Sequence, residues 1–178
     1  GWCETTSEPI SFALGLQEAG AQLITVHGRT RKQGFSGNAD WEAIGKIKKS
    51  LDIPVIANGD IKNSKDAIKC LEITNADGVM IGRASMGAPW LVGQIDGEIN
   101  NQKTFKIPDA KMKVGLSLEH LKLLVSKKGS HGLLIARKHM NWTCRGFQGA
   151  SSLRYKLVRA STPNDAIKFL EKELVKFN

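Results

Sequence analysis

Three short apolar runs rich in β-branched residues mark the first half of the chain: LITVHGRT at 23–30, IPVIANGDI at 53–61 and ADGVMIGRA at 76–84. Each closes on glycine and polar residues, and a continuous apolar run is what a parallel strand buried on both faces requires. The intervals between the runs carry helical periodicity instead. Trp41, Ile44, Ile47 and Leu51 recur at spacings of three, three and four, with Lys46, Lys48 and Lys49 opposite, which predicts an amphipathic helix over 39–51. Ala67, Ile68, Leu71 and Ile73 follow Asn63 and Ser64, residue types that accept bonds from the first free N–H groups of a helix. Ahead of the first run, Ile10, Leu14 and Leu16 lead to Gly20, a helix stop. The order α, β, α, β, α, β with short joints predicts right-handed βαβ units and a parallel sheet.

A closed (β/α)8 barrel takes about 250 residues and about eight strands, whereas this chain of 178 residues shows three. An open dinucleotide-binding sheet is the competing architecture, but Gly78, Gly82 and Gly87 do not fit its G-x-G-x-x-G fingerprint. The chain begins with Gly1 and Trp2 rather than methionine and reads as the C-terminal portion of a longer protein. In barrels, phosphate is usually gripped by the loops after the last two strands. Gly59 and Gly82 would let backbone N–H groups approach an anion, and the segment from Ala84 through Trp90 would start a short helix pointing its positive end at it. The three runs are thereby assigned to barrel strands six, seven and eight. A barrel cut in this way exposes an apolar strand edge, so the isolated chain is expected to be poorly soluble or to need its missing half.

Beyond a polar stretch, NNQKTFK, the pattern becomes wholly helical. Val114, Leu118, Leu121 and Val125 define a first helix ending near Gly129, and a second spans about 133–145. A third carries Leu153, Leu157 and Val158. The last starts at Thr162, a good cap before Pro163, and presents Ala166, Phe169, Leu170 and Leu174. The expected fold class is therefore α/β, the C-terminal part of a TIM barrel, followed by a small all-α helical bundle. The expected boundaries are 1–100 for the barrel part, 101–108 for a linker and 109–178 for the bundle.

Charge separates the same two regions. Residues 1–108 carry 12 Lys+Arg and 12 Asp+Glu, while residues 109–178 carry 14 and 5, which accounts for the whole net charge of +9. Such a surface suits a phosphate-rich partner that binds with counterion release, although lysine-rich helices can also be merely soluble. On the second tail helix, Arg137, Asn141 and Arg145 recur at spacing four with Lys138 alongside, a polar and basic edge.

Four strings in order, HGRTR at 27–31, IPVIANGDI at 53–61, ADGVMIGRASMGAPW at 76–90 and IARKHMNW at 135–142, resemble the tRNA-dihydrouridine synthases, most closely the bacterial B-type branch. The resemblance implies a barrel that holds FMN, NADPH as reductant, and hydride transfer from flavin N5 to C6 of a uridine flipped out of tRNA. A cysteine from an earlier strand protonates C5 in that family. It further implies that Asn58, Gly59, Asp60, Gly82 and Arg83 meet the ribityl chain and phosphate of FMN, that His27 lies against the flavin ring or target base, and that Arg29 sits near the entering nucleotide. Arg137 and Lys138 are the expected tRNA contacts, since arginine forks match phosphate oxygens and stack on bases. Trp2 looks like the end of the family's strand-five motif, and neither the family's flavin-facing lysine nor its catalytic cysteine is in this chain. No catalytic residue is therefore expected here. Taken without the family, His27 also reads as a hydrogen-bonded structural histidine, Asn58 with Gly59 and Asp60 as a turn or helix entry, and Trp90 and Trp142 as core packing.

Cys3, Cys70 and Cys144 form no metal-ligand spacing and are unpaired in number, which points to a reducing cytoplasm. Four scattered histidines nominate no metal site, and no apolar run is long enough to span a bilayer. The expected partners are tRNA and the missing N-terminal half of the barrel, with no metal and no membrane. Two alternatives stand beside this one: another FMN barrel oxidoreductase acting on a small pyrimidine, and a non-catalytic RNA-binding remnant.

Overall fold

The computed structural model describes residues 1, 3, 8–102 and 106–177. Trp2 and part of the expected linker, 103–105, lie outside the described residues. The chain divides into two compact units, residues 1–84 with 91–105 and residues 85–90 with 106–178.

The first unit is α/β. Helix α1 (Pro9–Glu18) precedes strand β1 (Ile24–His27), α2 (Trp41–Lys49) precedes β2 (Val55–Asn58), and α3 (Ser64–Thr74) precedes β3 (Gly78–Met80). The three strands form one parallel sheet in the order β1-β2-β3. Asp40 caps α2 by accepting from the Ala43 N–H, and Asn63 caps α3 by accepting from Asp66. Gly20 ends the α1 turn at φ +98°, a conformation open to glycine at little cost.

Periodicity placed α2 correctly, with Ile44, Ile47 and Leu51 in the core. It misplaced the inner face of α3, where Ala67, Cys70 and Thr74 are buried while Ile68 and Ile73 are exposed. On α1, only Ala13 is fully buried, and Ile10, Phe12 and Leu16 face solvent. The two faces of the sheet differ in the same way. Val55 and Ala57 are buried beneath the helices, whereas the register row His27, Asn58, Met80 lies on the half-open face. Lys48 clamps α2 to the entry of β3 through a 2.8 Å ion pair with Asp77. The hydrogen bond Asp77 accepts from Lys48, and then the one it accepts from the Val55 N–H, hold its carboxyl below the ordinary range.

Sequence reading did not foresee helix α4 (Trp90–Ile99), in which Gly93 and Gly97 weaken the helical pattern of WLVGQIDGEI. Leu91, Ile95 and Ile99, one turn apart, nevertheless pack on the first core.

The second unit contains α5 (Ala110–Lys128), α6 (His131–Thr143), α7 (Ala150–Arg159) and α8 (Pro163–Val175). Val114, Leu121, Leu133, Met140, Leu157 and Leu170 are among the residues of a second core. Thr162 and Asp165 form a complete capping box at the start of α8. Phe169 and Leu174 are partly buried against that core, while Val158 turns outward on α7. Among the described residues no helix is long and apolar enough to cross a membrane.

Candidate functional site

The register of the sheet dictates the site. His27 pairs with Asn58, so the chain positions two residues further on, Arg29 and Asp60, leave the sheet side by side. The Arg29 guanidinium, with its side chain only 2% exposed, donates from Nη2 to both Asp60 oxygens at 2.8 and 2.7 Å. It also donates to the carbonyls of Ser36 and Gly37, which fixes the loop after β1. Asp60 Oδ2 accepts from the Ala39 N–H at 2.7 Å, and Trp41 Nε1 donates to the Gly59 carbonyl at 3.0 Å. Burial alone would push the Asp60 carboxyl up. The hydrogen bonds from Arg29 and Ala39 and the charges of Arg29 and Lys62 outweigh it and hold the carboxyl below its usual value.

Two backbone features make this crossing possible. Gly59 sits at φ +127°, and a Cβ there would fall 2.6 Å from the Ala39 Cβ, so only glycine fits. Asp60 follows in the left-handed region at φ +57°, strain that its three-way hydrogen bonding sustains.

The three strand ends open on one cavity of about 610 Å³, lined by residues including His27, Asn58, Gly59, Asp60, Gly82 and Arg83. His27 Nδ1 lies 3.1 Å from the Asn58 carbonyl, which can only accept, so Nδ1 carries a proton and Nε2 is the ring nitrogen left to meet a ligand. Asn58 Nδ2 donates to the Met80 carbonyl at 2.7 Å and ties β2 to β3. Arg83 remains half exposed, 3.7 Å from Asp60 and with its guanidinium 4.3 Å from the centre of the Phe35 ring. A Cβ on Gly82 would meet no atom within 4 Å, so packing does not demand glycine there and space remains for a ligand.

The residues fit a phosphomonoester unequally. Arg83 and the glycine backbone suit an anion. Asp60 does not, because a carboxylate turned toward phosphate repels it, and its charge is instead neutralised by Arg29. The geometry therefore makes Asp60 an organiser of the loops. Arg29, expected near the entering nucleotide, has a buried guanidinium engaged with Asp60. Only its Nη1, also buried, lacks a partner. The segment 84–90, expected to start a short helix, has a single 3-10 turn at Arg83–Ser85, too short to supply a full helix dipole, and α4 begins only at Trp90.

Phe35 was not anticipated. It is 72% exposed between Gly34 and Gly37, which both adopt positive φ, at the lip of the same cavity. An aromatic flanked by glycines and preceded by Arg31 and Lys32 was the available signal.

On α6, Lys138 is exposed as expected. Arg137 is half-buried instead, its Nη2 donating at 2.9 Å to the Ala160 carbonyl at the end of α7. Its Nε is buried without a partner. Arg145, on the same edge, turns back to the Asn141 carbonyl. Cys70 and Cys144 are buried, and burial pushes the Cys70 thiol up to about 11, so neither offers a reactive thiolate. No group of three or more potential metal ligands occurs among the described residues.

The profile of the dihydrouridine synthase (Dus) family matches residues 1–178. A probable tRNA-dihydrouridine synthase 1 of Synechocystis sp. is 44% identical over 98% of this chain and 49% of its own length. A probable tRNA-dihydrouridine synthase of Rickettsia bellii is 43% identical over 86% of this chain and 48% of its own. The tRNA-dihydrouridine synthase B of Pasteurella multocida is 35% identical over 96% and 52%. The chain thus spans about half the length of the curated relatives it matches. On the match along its full sequence, the chain belongs to the dihydrouridine synthase family.

Proposed function

We propose that this chain is the flavin-phosphate and RNA-binding part of an FMN-dependent tRNA-dihydrouridine synthase. Residues 1–100 contribute barrel strands six to eight, 101–108 connect, and 109–178 form a helical tRNA-binding domain. The observation that carries the reading is the convergence of three parallel strand ends, through His27, Asn58–Asp60 and Gly82–Arg83, on one cavity.

Arg83 and the Gly59 and Gly82 backbones would hold the phosphate, and Asn58 would meet the ribityl chain. Bound FMN supplies the hydride that reduces the C5–C6 double bond of uracil, with NADPH as its reductant. His27, which lines the cavity with Nε2 uncommitted to Asn58, would orient the flavin ring. The exposed ring of Phe35 offers a face for a uridine turned out of the tRNA, since base chemistry requires the base to leave its stack. The proton for C5, which a cysteine from an earlier strand supplies in the family, is assigned to the half of the barrel outside this chain. The 14 basic against 5 acidic residues over 109–178 favour RNA over a free pyrimidine as substrate.

The test is reconstitution. Supplied with the N-terminal half of a relative, the chain retains FMN and reduces uridine in tRNA. Arg83→Ala loses the flavin, and Lys138→Gln weakens tRNA binding while keeping it. Reduction of free uracil but not of tRNA would establish the small-pyrimidine alternative instead.

A further inference from the structure

The second unit carries an open groove of about 490 Å³ that the flavin reading does not use. Its walls include Met86, Leu116, Leu123 and Met140, and its polar groups include His120 and His139. The rings form a ladder: His120 and His139 lie edge to face at 4.9 Å, and His139 meets Trp142 edge to face at 5.6 Å. Gly87 builds one side of it. At φ +78°, a Cβ on Gly87 would fall 2.5 Å from the Trp142 backbone, so only glycine lets the 85–90 segment close on α6. Met86, Leu116 and Leu123 remain 52, 39 and 55% exposed, an apolar surface left open beside two imidazoles.

The chemistry selects an occupant. Burial, and then the neighbouring charge of His139, hold His120 below its ordinary value, so at neutral pH this ring is an uncharged aromatic surface. An acidic peptide would find Glu119 in the lining where it needs a cation. A flat heteroaromatic ring instead gains stacking, apolar contact and a hydrogen bond to an imidazole nitrogen. No lysine or arginine is among the described residues lining the groove, so a phosphate chain attached to that ring would stay outside it, in a segment, 109–178, that carries 14 basic and 5 acidic residues and exposes Lys138. Aromatic faces within a basic surface are how single-stranded RNA is held without sequence readout.

We propose that this groove is a second nucleobase site, distinct from the cavity at the strand ends, that takes an unpaired base of the bound RNA against His139. The proposal rests on the RNA-binding reading above. The experiment compares binding of a short single-stranded oligouridylate with an abasic ribose-phosphate oligomer of equal length, across a salt series, using the full chain. Expected is a preference for the base-bearing oligomer, reduced about fivefold or more by His139→Leu with the salt slope unchanged. His120→Ala, which removes the more exposed and only partly desolvated ring of the pair, gives the same direction and guards against misfolding of the first variant. Lys138→Gln lowers the salt slope and keeps the preference for bases.

Equal binding of the two oligomers, or a preference untouched by both histidine variants, overturns the second site and leaves the RNA reading standing. Binding of neither overturns both. Burial of the groove by the N-terminal half of a relative, seen as protection of His120 from diethylpyrocarbonate with loss of base preference, also overturns it.

Discussion

Arg29 and Arg137 invite comparison because each is buried or half-buried, and each keeps one buried nitrogen without a partner. Arg29 is anchored on a carboxylate and holds three loops together. Arg137 is anchored on a neutral carbonyl, one hydrogen bond at the end of a helix. The same contrast divides the chain: charges cancel over 1–108 and are largely uncompensated by acid over 109–178. Internal pairing ties together the loops of the first site, whereas the surplus basic charge of the second stretch would, under the proposed function, meet a polyanion.

The largest expected effect tests the first anchor. Asp60→Ala strands a buried guanidinium, and denaturant unfolding should show a loss of about 3–5 kcal/mol. A change below about 1 kcal/mol would mean that solvent reaches Arg29 and that the contrast fails. Next, Leu121→Ala opens a cavity in the helical core at a cost of about 2–5 kcal/mol. Hydrogen exchange should then accelerate across α5–α8 while β1–β3 stay protected. Loss of protection everywhere would contradict two separate cores.

Arg137→Ala removes a hydrogen bond to a carbonyl and should cost about 1 kcal/mol. A cost matching that of Asp60→Ala would erase the distinction between the anchors. Smallest is Lys138→Gln, which should lower the magnitude of the salt slope for RNA binding by about one phosphate contact.

The carboxylate anchor also predicts a pH dependence. A folded-state pKa below the unfolded one stabilises above the unfolded value and loses that contribution as pH falls through the folded one. The Asp60 contribution is therefore complete above the ordinary carboxyl value of 3.8 and disappears below it. Acid unfolding of Asp60→Asn should lack that segment of the curve.

Elements were readable where pattern alone decides them. The three strands and α2 followed from β-branched runs and a clean three-four repeat, and Thr162 marked the α8 cap, where Asp165 three residues on completes the capping box. The inner face of α3 was not readable, because tertiary packing selected the small residues Ala67 and Cys70 over Ile68. The cavity could be placed at the strand ends from glycine positions. The fate of Arg29 could not, since its partner lies 31 residues away and their meeting depends on the strand register. Arg137 escaped for the same reason, its carbonyl partner being 23 residues distant.

The central claim is that these strand ends grip a phosphate. FMN and riboflavin differ by that group alone, so titrating each into the chain isolates it. FMN is predicted to bind at least about tenfold tighter, the equivalent of one charge-assisted contact, with Arg83→Ala removing most of the difference. Equal affinity for the two flavins, or a difference that survives Arg83→Ala, would contradict the account.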